Sequence, residues 1–422
     1  AHLKANRPAS MDLAGLRGAA MVLEHAGHGN YLGQRSTLSE DGVPGFDLRA
    51  DHEALFMHTA SVGTFAVLAG SHAAAPDLWP HDVDQSSYLS EAAALANDVA
   101  AAAIAIHGLA AKTKAGSYTP KPIAPAKPSP LRRAVVVEDA DVVGDLRNID
   151  HRLEVLTAAF EQFVALVRAA PPVTTPPDGL ALHSHLSYGS ALSSLQVVHT
   201  FYDQPGGQVA AVFAARALLE ESARLRWRYS VQGKEAEARA KQYFDEFRHR
   251  QRQTIRTLAG QGMKKDALRL FDLPANVLTP PGVDQIARNR DPIPTTAAML
   301  RSFGYLPHDS NWLEVAYKIL SQVTHSTPLG YLHSLRYADG QWRPNETSVE
   351  MLALSLDVTA VGGGYLLGTM SVLFSNVEPS GMQHYGALRD AVGAVHRAAR
   401  GIHGLGLQPS GTVFQSNAPG DS

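Results

Sequence analysis

Hydrophobic residues recur at steps of three and four along most of this chain, and the two-residue alternation typical of strands is almost absent. In the segment 141–169 the apolar side chains keep that spacing throughout: Leu146, Ile149, Leu153, Leu156, Phe160, Phe163 and Leu166. Such spacing places apolar side chains on one face of an α-helix. The pattern predicts an all-α fold, a helical bundle with an N-terminal helical domain or subdomain, and 134–137 as the only plausible strand.

The same periodicity predicts further helices, most of them bounded by prolines, glycines or capping residues. The second of these opens at Ser87 or Ser90, which are both suitable N-cap residues. The predicted helices cover 52–69, 88–112, 187–202, 208–229, 234–258, 263–271, 296–303, 312–326, 348–376 and 384–403.

A stretch rich in proline and basic residues marks the clearest boundary. Within 112–133, five prolines alternate with lysines and arginines, and proline at that density favours an extended, semi-rigid linker. We therefore predict an N-terminal helical block over 11–111, a Lys/Pro-rich linker over 112–133 and a main helical bundle over 134–408. Residues 1–10, which resemble a vector remnant ahead of Met11, and residues 409–422 are predicted to be tails.

Composition narrows the choice of function. The 422 residues are enough for two domains, and the absence of cysteine excludes disulfides, thiolate metal sites and cysteine nucleophiles. A net charge of −3 argues against wholesale electrostatic binding of nucleic acid, although a local basic patch stays open. The uncharged segment 358–374 contains three consecutive glycines and is shorter than a membrane span, which favours a buried core helix. We expect a cytoplasmic protein without a membrane partner.

Two polar runs at helical spacing carry the main chemical lead. Tyr317, Ser321 and His325 follow one another at four-residue steps in a predicted helix, so their side chains are expected along one stripe. Histidine can act as a general base or acid near pH 7, serine can orient or attack, and tyrosine can donate a hydrogen bond. The same three groups can also simply satisfy one another inside the core.

The second run lies about a hundred residues earlier, in an otherwise apolar helix. Arg216 and Glu220 are four residues apart there, and a buried guanidinium needs acceptors that one carboxylate supplies only in part. The remainder of its donor fork is suited to a phosphate or a carboxylate. The alternative is an intrahelical ion pair. Two helices with polar groups on faces expected to be buried predict an internal polar site.

This pair of helices resembles a family of bacterial all-helical proteins that is loosely similar to HEPN domains. The resemblance covers about 208–336 and implies a helical fold and an RNA-directed activity. The neighbouring arginine and histidine that HEPN nucleases carry on one helix are not evident here, so the resemblance implies a fold more than a reaction. The matching residues are Arg216, Glu220, Tyr317, Ser321 and His325.

A basic helix is the second candidate, as a phosphate-binding face for RNA or tRNA. A solvated surface helix balanced by nearby acidic residues explains the same charges. His183, His185 and His199 have no suitably spaced carboxylate, so we predict no metal and no other cofactor. The predicted nucleic-acid-binding residues are Arg239, Arg248, Arg250, Arg252, Arg256, Lys264 and Lys265.

Two functions from different classes follow. In the first, the protein is an RNA-linked enzyme, either a transferase that moves an acyl group from aminoacyl-tRNA or a ribonuclease, with His325, Ser321, Tyr317, Arg216 and Glu220 as its catalytic site. In the second, it is a non-catalytic helical binding or regulatory protein, such as a defence-system component, whose buried polar stripes are structural. A small-molecule substrate and a homo-oligomer remain open in either case.

Overall fold

The computed structural model describes residues 50–74, 84–108, 148–170, 179–231, 233–243, 245–246, 249, 292–301, 310–325, 327, 330, 333–338, 341–373 and 379–405. Within them the fold is all-α, as predicted, with one small β-hairpin added. The helices with stated bounds are α1 (Ala50–Ala74), α2 (Gln85–His107), α3 (Ile149–Arg168), α4 (Gly179–Phe201), α5 (Gln208–Tyr229), α6 (Thr296–Arg301), α7 (Ser310–Thr324), α8 (Val349–Leu373) and α9 (Pro379–His403), and the strands are β1 (Leu335–Ala338) and β2 (Gln341–Pro344). Residues 234–243 are also helical.

The chain divides into two compact units, each assembled from segments that are distant in sequence. The first takes its residues from 1–142, 173–193 and 224–294, and the second from 143–172, 194–223 and 295–422. The predicted linker over 112–133 and the predicted strand over 134–137 lie outside the described residues, so the linear domain boundaries stay a prediction.

In the first unit, α1 and α2 pack against each other through small and aromatic side chains. Phe65 of α1 is buried with Ala93 and Ala96 of α2. The α2 helix begins at Gln85 rather than near Ser87, because the Asp84 carboxylate accepts hydrogen bonds from the backbone N–H groups of Ser86 and Ser87. It ends at Gly108, which has φ 71° and donates its N–H to the Ile104 carbonyl. Only glycine adopts this left-handed conformation at little cost.

Two buried histidines also join α1 to α2. The His58 Nδ1 and His107 Nε2 atoms lie 3.1 Å apart and the two rings stack, so one ring donates and the other accepts. Burial lowers the pKa of His58 below its ordinary value. The charged form is disfavoured because the buried ring would lose the water that stabilises its charge.

We expect this pair to make stability depend on pH. Because the folded pKa of His58 is lowered, the unfolded chain binds more protons, and stability is lost as pH falls below about 6.5, the unfolded value. Urea unfolding at pH 7.5 and at pH 5.0 measures the loss. A His58→Leu variant should lose less stability than the wild type between these two pH values. Equal losses in both proteins would contradict the assignment.

In the second unit, α8 is the central helix and its three consecutive glycines each face a different neighbour. A Cβ atom on Gly362 would meet Leu218 of α5, one on Gly363 would come within 2.9 Å of Phe163 of α3, and one on Gly364 within 2.8 Å of Val392 of α9. The prediction that these glycines permit close helix approach is confirmed.

The hairpin β1–β2 was not predicted from the sequence. Its strands pair antiparallel, with Leu335 opposite Pro344 and Ala338 opposite Gln341. The available signal was the Asp339-Gly340 dipeptide between two short segments that contain aromatic residues, since Asp-Gly favours a two-residue hairpin loop.

Two described helices are long and apolar enough to cross a membrane when judged by length and composition alone. In α8 the apolar window is 78% buried inside the structure, as the core-helix prediction expects. In α2 only 22% of the window is buried, so most of its apolar surface faces outward.

Candidate functional site

The two predicted polar stripes meet in the second unit, on α5 and α7. Almost every side chain of α5 between Ala211 and Ala223 is buried, including Arg216 and Glu220. On α7, Tyr317 and Ser321 are half-buried beside the buried residue Leu320. Apolar residues of both helices therefore enclose the polar ones, which is the internal polar site predicted from the spacing.

Each of the three guanidinium nitrogens of Arg216 has a partner. The Nε atom donates to Ser321 Oγ at 3.0 Å, and Nη2 donates to the Tyr317 hydroxyl at 3.1 Å. The Nη1 atom lies 3.4 Å from Glu220 Oε2. The side chains of Arg216 and Glu220 are both 4% exposed, so this is a buried ion pair completed by two neutral acceptors.

The acceptors are themselves fixed by α7. Ser321 donates its own hydroxyl proton to the Tyr317 carbonyl at 2.7 Å, which orients its lone pairs toward the Arg216 Nε–H. The Arg216 guanidinium carbon also lies 5.1 Å from the centre of the Tyr317 ring, within range of a cation–π interaction. Arg216, Glu220, Tyr317 and Ser321 therefore form one group of contacting polar side chains.

His325 is not part of this group. The helix α7 ends at Thr324, and His325 lies in the following turn with an exposed side chain. Its backbone N–H still bonds the Ser321 carbonyl at 3.0 Å, but no described hydrogen bond joins its ring to Arg216, Tyr317 or Ser321. The sequence placed His325 on the buried stripe, and this placement is wrong.

Of the predicted nucleic-acid-binding residues, only Arg239 has a described side chain. In the first unit its guanidinium donates to the Trp227 carbonyl, to Ser230 Oγ and to Glu235 Oε1, and it packs on the Trp227 ring. These contacts satisfy carbonyl and hydroxyl groups at the C-terminal end of α5. The side chains of Arg248, Arg250, Arg252, Arg256, Lys264 and Lys265 lie outside the described residues, so RNA binding there stays a prediction.

A second buried polar cluster in the same unit was missed by the sequence analysis. Asp357 of α8 is fully buried, His396 Nδ1 lies 2.9 Å and 3.0 Å from its two oxygens, and His403 Nε2 lies 3.0 Å from Oδ2. The Leu405 N–H donates to His403 Nδ1, so His403 carries its proton on Nε2 and donates it to Asp357. Trp312 of α7 packs against both rings.

A third cluster lies nearer the surface of the second unit. Arg168 donates to His199 Nδ1 at 3.2 Å, so His199 must donate its Nε2 proton to Glu161, at 3.0 Å. Tyr202 also donates to Glu161, at 2.8 Å. Burial alone would raise the pKa of Glu161, but the bonds from His199 and Tyr202 and the charge of Arg168 lower it. Burial, with the adjacent Glu161, raises the pKa of Tyr202.

The histidines considered as metal ligands are described only in part. Both ring nitrogens of His199 are engaged, and the side chains of His183 and His185 lie outside the described residues. Among the residues whose positions are described, no three histidine or acidic side chains converge as metal ligands would.

No protein-family model, curated protein or solved structure matches this chain. The similarity to HEPN domains therefore stays a prediction from the residues alone.

Proposed function

We propose that this protein is a non-catalytic helical binding protein whose buried polar stripes stabilise its second unit. The observation that carries the proposal is the buried group of polar contacts around Arg216. A catalytic or phosphate-gripping arginine keeps donors directed at its ligand, whereas here each guanidinium nitrogen has a neighbour inside the protein. Ser321 and Tyr317 accept hydrogen bonds, Glu220 is the ion-pair partner, and the Arg216 side chain is 4% exposed.

The position of His325 supports the same proposal. An acyl transfer or an RNA cleavage at this site needs a base within hydrogen-bond reach of the reacting group, and the side chain of His325 is exposed in the turn beyond α7. Arg239, one of the seven residues predicted to bind nucleic acid, donates to a carbonyl, a hydroxyl and a carboxylate of its own unit.

Purification without nuclease treatment tests the proposal against the RNA-linked enzyme. We expect the ratio of absorbance at 260 and 280 nm to be that of the protein alone, also at low salt, where phosphate contacts are strongest. The His325→Ala variant should keep wild-type stability within about 0.5 kcal/mol, because the side chain is exposed. A co-purifying RNA band of tRNA length that is lost in Arg248→Glu would overturn the proposal.

A further inference from the structure

The α1 helix carries an exposed stripe that no described residue of the first unit covers. Phe56, Ala60, Gly63 and Val67 follow one another at steps of four, three and four residues, and all four are exposed, with 56% of Phe56 and 70% of Val67 accessible. We call these four residues the α1 stripe. No lysine, arginine, aspartate or glutamate occurs in α1 after Glu53, so the stripe is uncharged.

Gly63 is the residue of the stripe that most favours close packing of a second helix. A glycine inside a helix costs about 1 kcal/mol relative to alanine. At Gly63 a Cβ atom would meet nothing within 4 Å, so no contact with the described part of the chain requires a glycine there. Close packing of a second helix against this position would explain why the residue is a glycine.

The order of large and small residues shows which helix fits. Phe56 and Val67 are the large ends of the stripe, Ala60 and Gly63 its small centre, and both pairs are symmetric about the point between residues 61 and 62. Two α1 helices packed antiparallel about that point place Phe56 against Val67 of the second copy, and Ala60 against its Gly63. A two-fold axis requires such self-complementarity.

The neighbouring helix α2 also carries exposed apolar side chains. On α2, Tyr88, Leu95, Val99 and Ile106 are 44%, 62%, 37% and 51% exposed at helical spacing.

Other partners fit this surface less well. The α1 stripe has no positive charge for RNA and no charge of either sign for a charged peptide. Lipid is disfavoured because Glu91 and Asp98 are exposed on α2, and because the interior of the helix pair holds His58 and His107.

We propose that the α1 stripe is a self-association surface, on which two copies of this chain pack their α1 helices antiparallel across a two-fold axis. The inference deepens the proposed binding function by naming the partner as a second copy. It depends only on α1 and α2. Bound RNA would therefore contradict the proposed function without testing the dimer, which the association experiment tests separately.

Sedimentation velocity of the full chain tests the association. We expect a concentration-dependent species of twice 45.1 kDa. Ala60→Arg places a charge at the centre of the stripe on an exposed helical position that accepts arginine, and it should weaken association at least tenfold. Ala158→Arg, at an exposed position of α3, is the matched control and should associate like the wild type. A wild-type chain that stays monomeric, or an Ala60→Arg chain that associates normally, would overturn the proposal.

The absence of cysteine makes the register testable by cross-linking. In the antiparallel pair the two copies of residue 56 lie about 16 Å apart along the axis, too far for a disulfide, which needs Cα atoms within about 7 Å. Mixed Phe56→Cys and Val67→Cys chains should therefore form disulfide dimers on mild oxidation, and neither variant alone should. Self-cross-linking of each variant would indicate parallel packing, and flotation of a monomeric chain with phosphatidylcholine vesicles would assign the surface to lipid. Either result contradicts the proposal.

Discussion

Replacing Arg216 with methionine should lower the free energy of unfolding by about 3–5 kcal/mol, because removing one partner of a buried ion pair leaves the other charge without compensation. The Glu220 carboxylate is buried with Arg216 on α5, and both side chains are 4% exposed. Ser321 and the Tyr317 hydroxyl would lose their donor in the same step. The shift of the urea unfolding midpoint at constant slope measures the loss.

Two further variants separate charge from packing. The double variant Arg216→Met/Glu220→Leu removes both charges and should recover most of the loss, since apolar replacement of a buried pair is often neutral or stabilising. Arg389→Met removes an arginine whose side chain is 84% exposed and should change stability by less than about 0.5 kcal/mol. A loss of under about 1 kcal/mol in Arg216→Met would show that the ion pair does not hold the second unit together.

This group could be predicted from the sequence because its geometry is local. Residues four apart on a helix share a face, so Arg216 with Glu220, and Tyr317 with Ser321, were each placed by spacing alone. That the two pairs meet followed from the expectation that both polar faces are buried, whereas the remaining donors of Arg216 were predicted to bind a phosphate or a carboxylate. The structure confirms this meeting across 101 residues of sequence.

The same helix geometry explains why the prediction for His325 was wrong. Each four-residue step advances about 40° around a helix of 3.6 residues per turn, so a residue eight positions on has turned about 80° from Tyr317. The helix α7 also ends one residue before His325. In a run of four-residue steps, therefore, only two successive residues share one face of the helix.

Asp357 was missed because its partners are remote in sequence. His396 and His403 lie 39 and 46 residues away on α9, and periodicity within α8 says nothing of them. A signal was nevertheless present. Asp357 is a carboxylate in the middle of an apolar helix, and two histidines seven residues apart share one face of α9.

The Asp357→Ala variant should lose about 3–5 kcal/mol of stability. The carboxylate is fully buried and accepts from two imidazole N–H groups. Its removal leaves two buried donors without an acceptor, at about 1–3 kcal/mol each, and leaves a small cavity on α8. Asp390→Ala is the matched control on α9, where the carboxylate is 75% exposed beside Arg389. Its effect should stay below about 0.5 kcal/mol.

A double-mutant cycle with His403→Ala shows whether the cluster acts as a unit. His403 has one ring nitrogen bonded to Leu405 and the other to Asp357, so either single substitution breaks the same bond. The loss in the double variant should therefore be smaller than the sum of the two single losses by about 1–2 kcal/mol. Strict additivity would mean that Asp357 and His403 stabilise the second unit independently. The hydrogen bond between Asp357 and His403 would then not stabilise the packing of α9 on α8. Asp357 would stabilise that packing through its hydrogen bond with His396 alone.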